Sequence, residues 1–453
     1  MDREAGGSLV EADDDPDMSG FSDTRSAIGF FEDLLRGCDT PNIAVRFWDG
    51  SVWRPRSNQR PVATLILHHQ DSLSRMLRWP VHLALGEAYI YDDIDIIGPI
   101  ETFMPLADHL MERRWTLMDW LRCATASWRQ RRLTRLPEET RTLELHGRRH
   151  EKLRDKEAVR FHYDLPVEFF RLWLDSRLMY SCAYYRTPHD GLEIAQTQKL
   201  EYLCRKLGLK PGDRVLDIGC GWGGFALYAA RVHGALVHGI TLSRRQAEVA
   251  NQQIVASGLS RRCRIEVRDF RDVQGEMLYD KIISIGMVEH VGHTHLASYY
   301  QRAIRLLSPG GIFFNQGIGT RDGQPKLGAF ADRYVFPDAE VLPIEEIVRT
   351  AERCGFEIRD VESLREHYAL TLDAWRRRLE QQHHQAVRIV GEVTYRVWQV
   401  YMAMAAHLFR CGRLSLYHTL SVKAASGQVG LPLTREHWYE PVTSDMRVHK
   451  EAA

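Results

Sequence analysis

From Leu200 onward, short apolar runs alternate with longer stretches whose apolar positions recur at helical spacing. DRVLDIGC, ALVHGITL, CRIEVRDF, YDKIISIG and GGIFFNQGI read as strands, each separated from the next by helical sequence. This alternation predicts a doubly wound parallel sheet, because a parallel crossover needs a helix to carry the chain back. Between Asn42 and about Asp108 the pattern is shorter. AVRFWDGSVW predicts a hairpin around Asp49-Gly50, ATLILHH a strand, and HLALGEAYIYDDIDIIG a strand pair broken at its glycine. Trp398, Tyr401, Met402, Ala405 and Leu408 predict one long helix from about Leu370 to Arg410, packed on the sheet or roofing a pocket. Tyr334 to about Leu342, with Pro337 and Pro343, is expected as a loop over the sheet edge.

The expected organisation is therefore an acidic, disordered tail over 1–22, a small α+β domain over 23–110 and a basic helical linker over 111–160. An α/β domain over 161–425 and a polar tail over 426–453 follow. Residues 1–22 contain seven acids and almost nothing to bury. No apolar run in the 453 residues approaches the ~20 residues a membrane span needs, and the amino terminus lacks a basic and apolar leader. The eight cysteines are scattered without metal-ligand spacing, so the expectation is a reduced, cytoplasmic setting and no metal.

Charge adds one refinement. The 60 Lys and Arg balance 60 Asp and Glu, which argues against general nucleic-acid binding. Between Arg113 and Arg160, however, fourteen basic residues face seven acids, with Trp115, Trp120 and Trp128 among them. That mixture suits an anionic membrane surface, although charge alone favours a solvated helical linker.

The chemistry-bearing residues cluster at the ends of the expected strands. Asp217-Ile218-Gly219-Cys220-Gly221-Trp222-Gly223-Gly224 follows one strand and precedes a helix, so glycines let the backbone approach a ligand. Glycines alone would suit a dinucleotide. The GxGxGG spacing, and an acid two residues before the first glycine, favour S-adenosylmethionine, whose amino-acid part Asp217 would face. The next strand ends without a carboxylate, so ribose contacts fall to Thr241 and Gln246. Asp269 and Phe270 end the third strand, suited to the adenine amino group and ring face.

His162-Tyr163-Asp164, Met179-Tyr180-Ser181-Cys182-Ala183-Tyr184, LDIGCGWGG, GITLSRRQ, IGMVEHVG and Tyr334-Val335-Phe336-Pro337 occur in the order and spacing of the cyclopropane-fatty-acyl-phospholipid synthases. The sequence resembles that family, which includes the mycolic acid cyclopropane synthases and the C-methyltransferases of acyl groups, over roughly 155–425. Residues 42–110 resemble, more weakly, the lipid-facing domain of its longer members. The resemblance implies a class I methyltransferase fold, Rossmann-like with helical additions, and S-adenosylmethionine as cofactor, with Tyr180 and Ser181 on the cofactor side. It also implies methyl transfer to the double bond of unsaturated phospholipid acyl chains, through a carbocation. Proton loss from the new methyl closes a cyclopropane; the alternative is a methylene- or methyl-branched chain. Another reading is a lipid- or cofactor-binding module without turnover, against which Asp217, Gly219, Gly221 and Glu289 argue.

Family members hold a bicarbonate base between five groups. Carried over, these are Cys182, Glu289, Ile318, Tyr368 and the position of Gln316, where the family has histidine. A neutral amide donates a hydrogen bond but supplies no positive charge and relays no proton. Gln316 thus either serves the same anion directly or leaves that work to His367. Ala405 stands where the family often has cysteine, a change that alkene chemistry tolerates. Peripheral attachment to the inner face of the membrane, and a homodimer, are further expectations.

Overall fold

A computed structural model describes residues 24–38, 42–55, 60–113, 115, 143, 145–163, 165–321 and 328–440. The expected tail over 1–22, Trp120, Trp128 and Asp164 lie outside the described residues. The protein divides into two compact units. Met1–Thr142, Gly328–Val335 and Val390–His407 form one, and Leu143–Leu327, Phe336–Ile389 and Leu408–Ala453 the other.

The first unit contains a four-stranded sheet of β1 (Ile43–Arg46), β2 (Val52–Trp53), β3 (Ala63–Leu67) and β4 (Ile94–Ile97), in the order β2-β1-β3-β4. The hairpin at Asp49-Gly50 forms as expected, with the Asp49 carboxylate accepting from Ser51 N at 2.9 Å. The strand pair expected in HLALGEAYIYDDIDIIG does not form. Val81–Ile90 is a helix, and only β4 follows it. Gly86 sits inside that helix because the Phe330 ring packs there: a Cβ at 86 would lie 2.3 Å from Phe330 Cδ2.

The second unit is built on an eight-stranded sheet. Its strands are β5 (Arg214–Ile218), β6 (Leu236–Thr241), β7 (Cys263–Val267), β8 (Tyr279–Ile285), β9 (Leu307–Thr320), β10 (Leu342–Pro343), β11 (Glu357–Ser363) and β12 (Leu414–Val422). The order is β11-β12-β9-β8-β5-β6-β7, with β10 added beside β9. β5 to β9 are parallel, and β12 runs antiparallel to β9. Strand order reverses between β5 and β8, the crevice where open α/β sheets bind ligands. Apolar residues on both faces bury the sheet, among them Val215, Ile283, Phe314 and Leu420 on one side and Leu216, Ile282, Tyr299 and Phe313 on the other.

The single helix expected over 370–410 is three: Arg365–Gln381, His383–Val390 and Glu392–Arg410. Gly391, at φ +79°, separates the last two, and Val390–His407 groups with the first unit. Residues 428–438 are not merely polar: Trp438 is buried in the second unit's core, with Val429 and Leu431 against it. Among the described residues no helix is long and apolar enough to cross a membrane.

Candidate active site

The nine residues assigned to a cofactor line one cavity at the carboxyl ends of β5 to β8. Tyr180, Ser181, Asp217, Gly219 and Gly221 stand on its wall, as do Thr241, Gln246, Asp269 and Phe270. β5 ends in a turn held by Gly219 N and Cys220 N donating to Ile240 O, and the helix Gly224–Val232 starts at once. Gly219 has φ +75°, a conformation a side chain strains. At Gly224 the need is space: a Cβ would lie 2.2 Å from Met179 Sδ and 2.9 Å from Arg177 O.

Asp217 carries the clearest ligand signal. Its carboxyl is 2% exposed, and Oδ2 has no hydrogen-bond partner. Burial alone pushes its pKa up to about 7. A buried carboxylate lacking a counter-charge is expensive, and an incoming ammonium would relieve that cost. The amino group of S-adenosylmethionine supplies such a cation, so this end of the cavity fits that cofactor.

The remaining cofactor candidates are held by protein partners. Thr241 Oγ1 donates to Gln246 Oε1 at 2.7 Å, which leaves the Gln246 NH2 as the pair's donor. Asp269 is bound by Arg271, at 2.9 Å from Nε and 2.6 Å from Nη2. The same guanidinium reaches Asp155 at 3.0 Å, tying the helix Lys152–Tyr163 to the end of β7. Lys199, buried and pushed down to about 8 by that burial, donates to Ser181 Oγ at 2.8 Å.

Aromatic rings pack together around Tyr180, which stands on the cavity wall. Tyr180 lies 5.4 Å from His162, 5.4 Å from Trp173 and 5.2 Å from Trp375, centroid to centroid. His162 stacks on Phe336 at 3.8 Å. The aromatic residues on the cavity wall itself are Tyr163, Tyr180, Trp222, Phe225 and Phe270, and aromatic faces of this kind attract a sulfonium or a carbocation.

The five residues assigned to the anion site are brought together only in part. Glu289 Oε1 accepts from Ile318 N at 2.7 Å, a direct link. It arises because β8 stops at Ile285 opposite Gln316; Gly286 N closes that ladder on Gln316 O, and Ile318 lies beyond it. Glu289 Oε2 has no partner, and burial pushes the carboxyl up to about 7. Gln316, two residues before Ile318, shares its face of β9. Cys182 lies 4.0 Å from Thr371 Oγ1, on the helix that carries Tyr368. Burial pushes its thiol up to about 12, so it stays protonated and is no nucleophile. Tyr368 packs against Phe409 at 4.7 Å and Trp375 at 6.2 Å.

His367, the suggested substitute for the missing histidine, is committed elsewhere: its Nδ1 accepts from Tyr185 N at 2.9 Å, and its ring stacks on Tyr184. The histidine that does meet Gln316 is His418 on β12, with Nε2 2.9 Å from Gln316 Oε1. His290 and Tyr163 also line the cavity and were not singled out as site residues by sequence. His290 is pushed down to about 4 by burial and is neutral. Tyr163 is pushed up, mainly by burial and further by the nearby Glu289.

Of the basic segment, Arg149 and Arg154 are engaged within the second unit. Arg154 Nη2 donates to Asp338 at 2.9 Å, and Arg149 lies 3.3 Å from Asp338 and 3.5 Å from Glu340.

Residues 150–419 match the family model described as mycolic acid cyclopropane synthetase, and residues 30–112 match a domain of unknown function (DUF7884). A probable fatty acid methyltransferase of Pseudomonas putida is 38% identical over 403 residues, covering 88% of this chain and 96% of the relative. The cyclopropane-fatty-acyl-phospholipid synthase of Escherichia coli K12 is 34% identical over 283 residues, covering 62% of this chain and 72% of the relative. Among solved structures, the mycolic acid cyclopropane synthase CmaA1 complexed with SAH and CTAB superposes with a TM-score of 0.56 at 32% identity. That match covers 59% of this chain and 98% of the other.

Proposed function

The protein belongs to the mycolic acid cyclopropane synthetase family and is an S-adenosylmethionine-dependent methyltransferase of the class I fold; from that premise we propose that it methylates the double bond of unsaturated phospholipid acyl chains and closes a cyclopropane ring. The observation that carries this reading is Glu289: a buried carboxyl with one oxygen held by Ile318 N, the other without a partner, and an affinity for protons raised into the neutral range.

When bound, the cofactor supplies an electrophilic methyl on a sulfonium. The alkene's π pair forms the new carbon–carbon bond as the sulfur–carbon bond breaks and its pair stays on sulfur. The cation left on the neighbouring carbon of the lipid would be stabilised by aromatic side chains of the cavity wall, Tyr163, Tyr180 and Trp222. A base then removes a proton from the new methyl, and the freed pair closes the ring.

Bicarbonate is the proposed base. An anion beside a carboxylate is stable only where one of the two carries a proton, and Glu289, at about 7, is suited to donate one. Gln316 contributes a neutral donor from the same face of β9. Cys182 and Tyr368 complete the proposed site, the thiol as a hydrogen-bonding group.

A methylene- or methyl-branched product is the second reading. It is favoured by Gln316 in place of histidine, and by the name of the Pseudomonas putida relative, a fatty acid methyltransferase. A phospholipid substrate places the protein on a membrane surface, in this proposal the cytoplasmic face of the inner membrane. The tryptophans of 113–160 and its basic residues other than Arg149 and Arg154, which Asp338 and Glu340 engage, are the proposed contact, and a homodimer the proposed assembly.

The test is incubation with methyl-labelled S-adenosylmethionine and anionic vesicles of monounsaturated or fully saturated phospholipid, followed by flotation. Label in the monounsaturated acyl chains alone, on vesicles that carry the protein with them, is the expected result. Label in the head group, or none in lipid, would sink the proposal.

A further inference from the structure

The sequence leaves Gln316 as an unexplained departure, because a primary amide rotates freely and presents either an acceptor or a donor. β12 removes that ambiguity. Its antiparallel register sets His418 directly opposite Gln316, so the two side chains project from the same face of the sheet. Both are 1% exposed. The His418 ring is fixed by Phe314, edge to face at 4.8 Å, and lies roughly parallel to Tyr202 at 6.4 Å.

The hydrogen-bond pattern decides the amide's orientation. His418 Nε2 lies 2.9 Å from Gln316 Oε1, an oxygen that can only accept, so the ring nitrogen donates. A flipped amide would need the ring proton on Nδ1. Glu362 Oε2 lies 3.9 Å from Nδ1, too far for a hydrogen bond, and Nδ1 has no other partner. That oxygen already accepts from Tyr202 at 2.7 Å and Lys206 at 2.6 Å. A flip would therefore bury an unsatisfied N–H, whereas the observed arrangement leaves only a lone pair on Nδ1 without a partner. Burial, with Lys206 and Lys199 nearby, holds the ring neutral.

We propose that His418 is a positioning residue, which clamps the Gln316 oxygen so that the amide NH2 is the group offered to the anion site. The inference rests on the bicarbonate site proposed above. It also accounts for the tolerated loss of histidine at 316: donor capacity is kept by an amide whose orientation a cross-strand histidine enforces.

The experiment measures binding of [13C]bicarbonate by NMR titration, with S-adenosylhomocysteine bound, to the parent, His418→Phe, Gln316→Leu, the Phe/Leu double variant, and the exchange Gln316→His with His418→Gln. Phenylalanine fills the histidine's volume, so S-adenosylhomocysteine affinity is expected to stay within about twofold. Bicarbonate affinity falls roughly tenfold, the loss of about one hydrogen bond's worth. In the Gln316→Leu background His418→Phe has no further effect, because the group it positions is gone. The exchange variant recovers binding to within about threefold of the parent.

Equal bicarbonate affinity in the parent and His418→Phe would overturn the positioning role, as would the same tenfold loss in the Gln316→Leu background. Should His418→Phe fail to fold, the exchange variant decides: intact S-adenosylhomocysteine binding without bicarbonate binding overturns it. A parent that binds no bicarbonate at all defeats the anion site itself, an outcome distinct from the others.

Discussion

Replacing Asp217 by asparagine is expected to stabilise the ligand-free protein and to weaken its cofactor binding, two effects with one cause. The carboxyl is 2% exposed, Oδ2 has no partner, and burial pushes its pKa from the ordinary 3.8 to about 7. The folded state thus holds this proton more tightly than the unfolded chain. Stability is fully present below the unfolded value and falls as pH rises toward the folded one. From 3.8 to about 7 the loss comes to about 4 kcal/mol, at 1.36 kcal/mol for each tenfold. Asparagine keeps the shape and cannot ionise, so at pH 8 the ligand-free variant should melt several degrees above the parent, at roughly 2–4 °C per kcal/mol.

Binding reverses the sign. The ligand's ammonium pairs with the ionised carboxylate, so parent affinity for S-adenosylhomocysteine rises with pH up to about 7 and is flat above it. The variant should bind about a hundredfold more weakly at pH 8, the loss of one charge-assisted hydrogen bond, and show little pH dependence. Differential scanning fluorimetry and calorimetric titration at pH 6 and 8 read both effects. A ligand-free variant that melts at or below the parent at pH 8, with the parent's pH-dependent affinity, would refute the assignment of an unpaired carboxylate awaiting a cation.

Other substitutions probe separate parts of the account. Glu289→Gln should abolish turnover while S-adenosylhomocysteine affinity stays within about 1 kcal/mol, since Glu289 lies outside the wall of the cofactor cavity; parent-like turnover would remove Glu289 from the anion site. Gly224→Ala should lower stability by about 1–3 kcal/mol in chemical denaturation, because the Cβ meets a backbone carbonyl at 2.9 Å that cannot yield as a side chain would. Gln316→His should raise cyclopropane yield or bicarbonate dependence, read by product analysis at varied bicarbonate. Unchanged values would show that the positioned donor alone suffices and that the charge and proton relay of a histidine add nothing.

Of the parallel strands, β5, β6, β8 and β9 were legible because each carries an apolar stretch buried on both faces, and β7, CRIEV, because Cys263 and Ile265 alternate with polar residues. Much of the cavity proposed for the cofactor followed from them, since strand order brings together the strand ends that form part of its wall. β11 and β12 were not legible. β11, EIRDVES, exposes Arg359, Val361 and Ser363, keeps the charged Asp360 and Glu362 half-buried, and offers no apolar run. β12, LSLYHTLSV, buries Ser415, His418, Thr419 and Ser421 inside the sheet, so its polar positions hide its burial.

Missing β12 meant missing His418, and with it the partner that orients Gln316. Alternation in YHTLSV was the available signal, overshadowed by the expected long helix before it. Gly86 misled in the opposite direction. A glycine amid apolar residues looked like a break between strands, whereas it marks where the Phe330 ring meets a helix. That contact joins residues far apart in sequence, and no local pattern encodes it.

The central claim is methyl transfer to an acyl double bond with ring closure, and the most direct test is the chemical structure of the product. Purified protein, labelled S-adenosylmethionine and monounsaturated phospholipid vesicles are incubated, and the released fatty acids are read by mass spectrometry and proton NMR. High-field ring protons on labelled acyl groups are the result this account predicts. Labelled acyl groups with vinylidene protons and no ring protons would contradict ring closure, and unlabelled lipid would contradict the substrate itself.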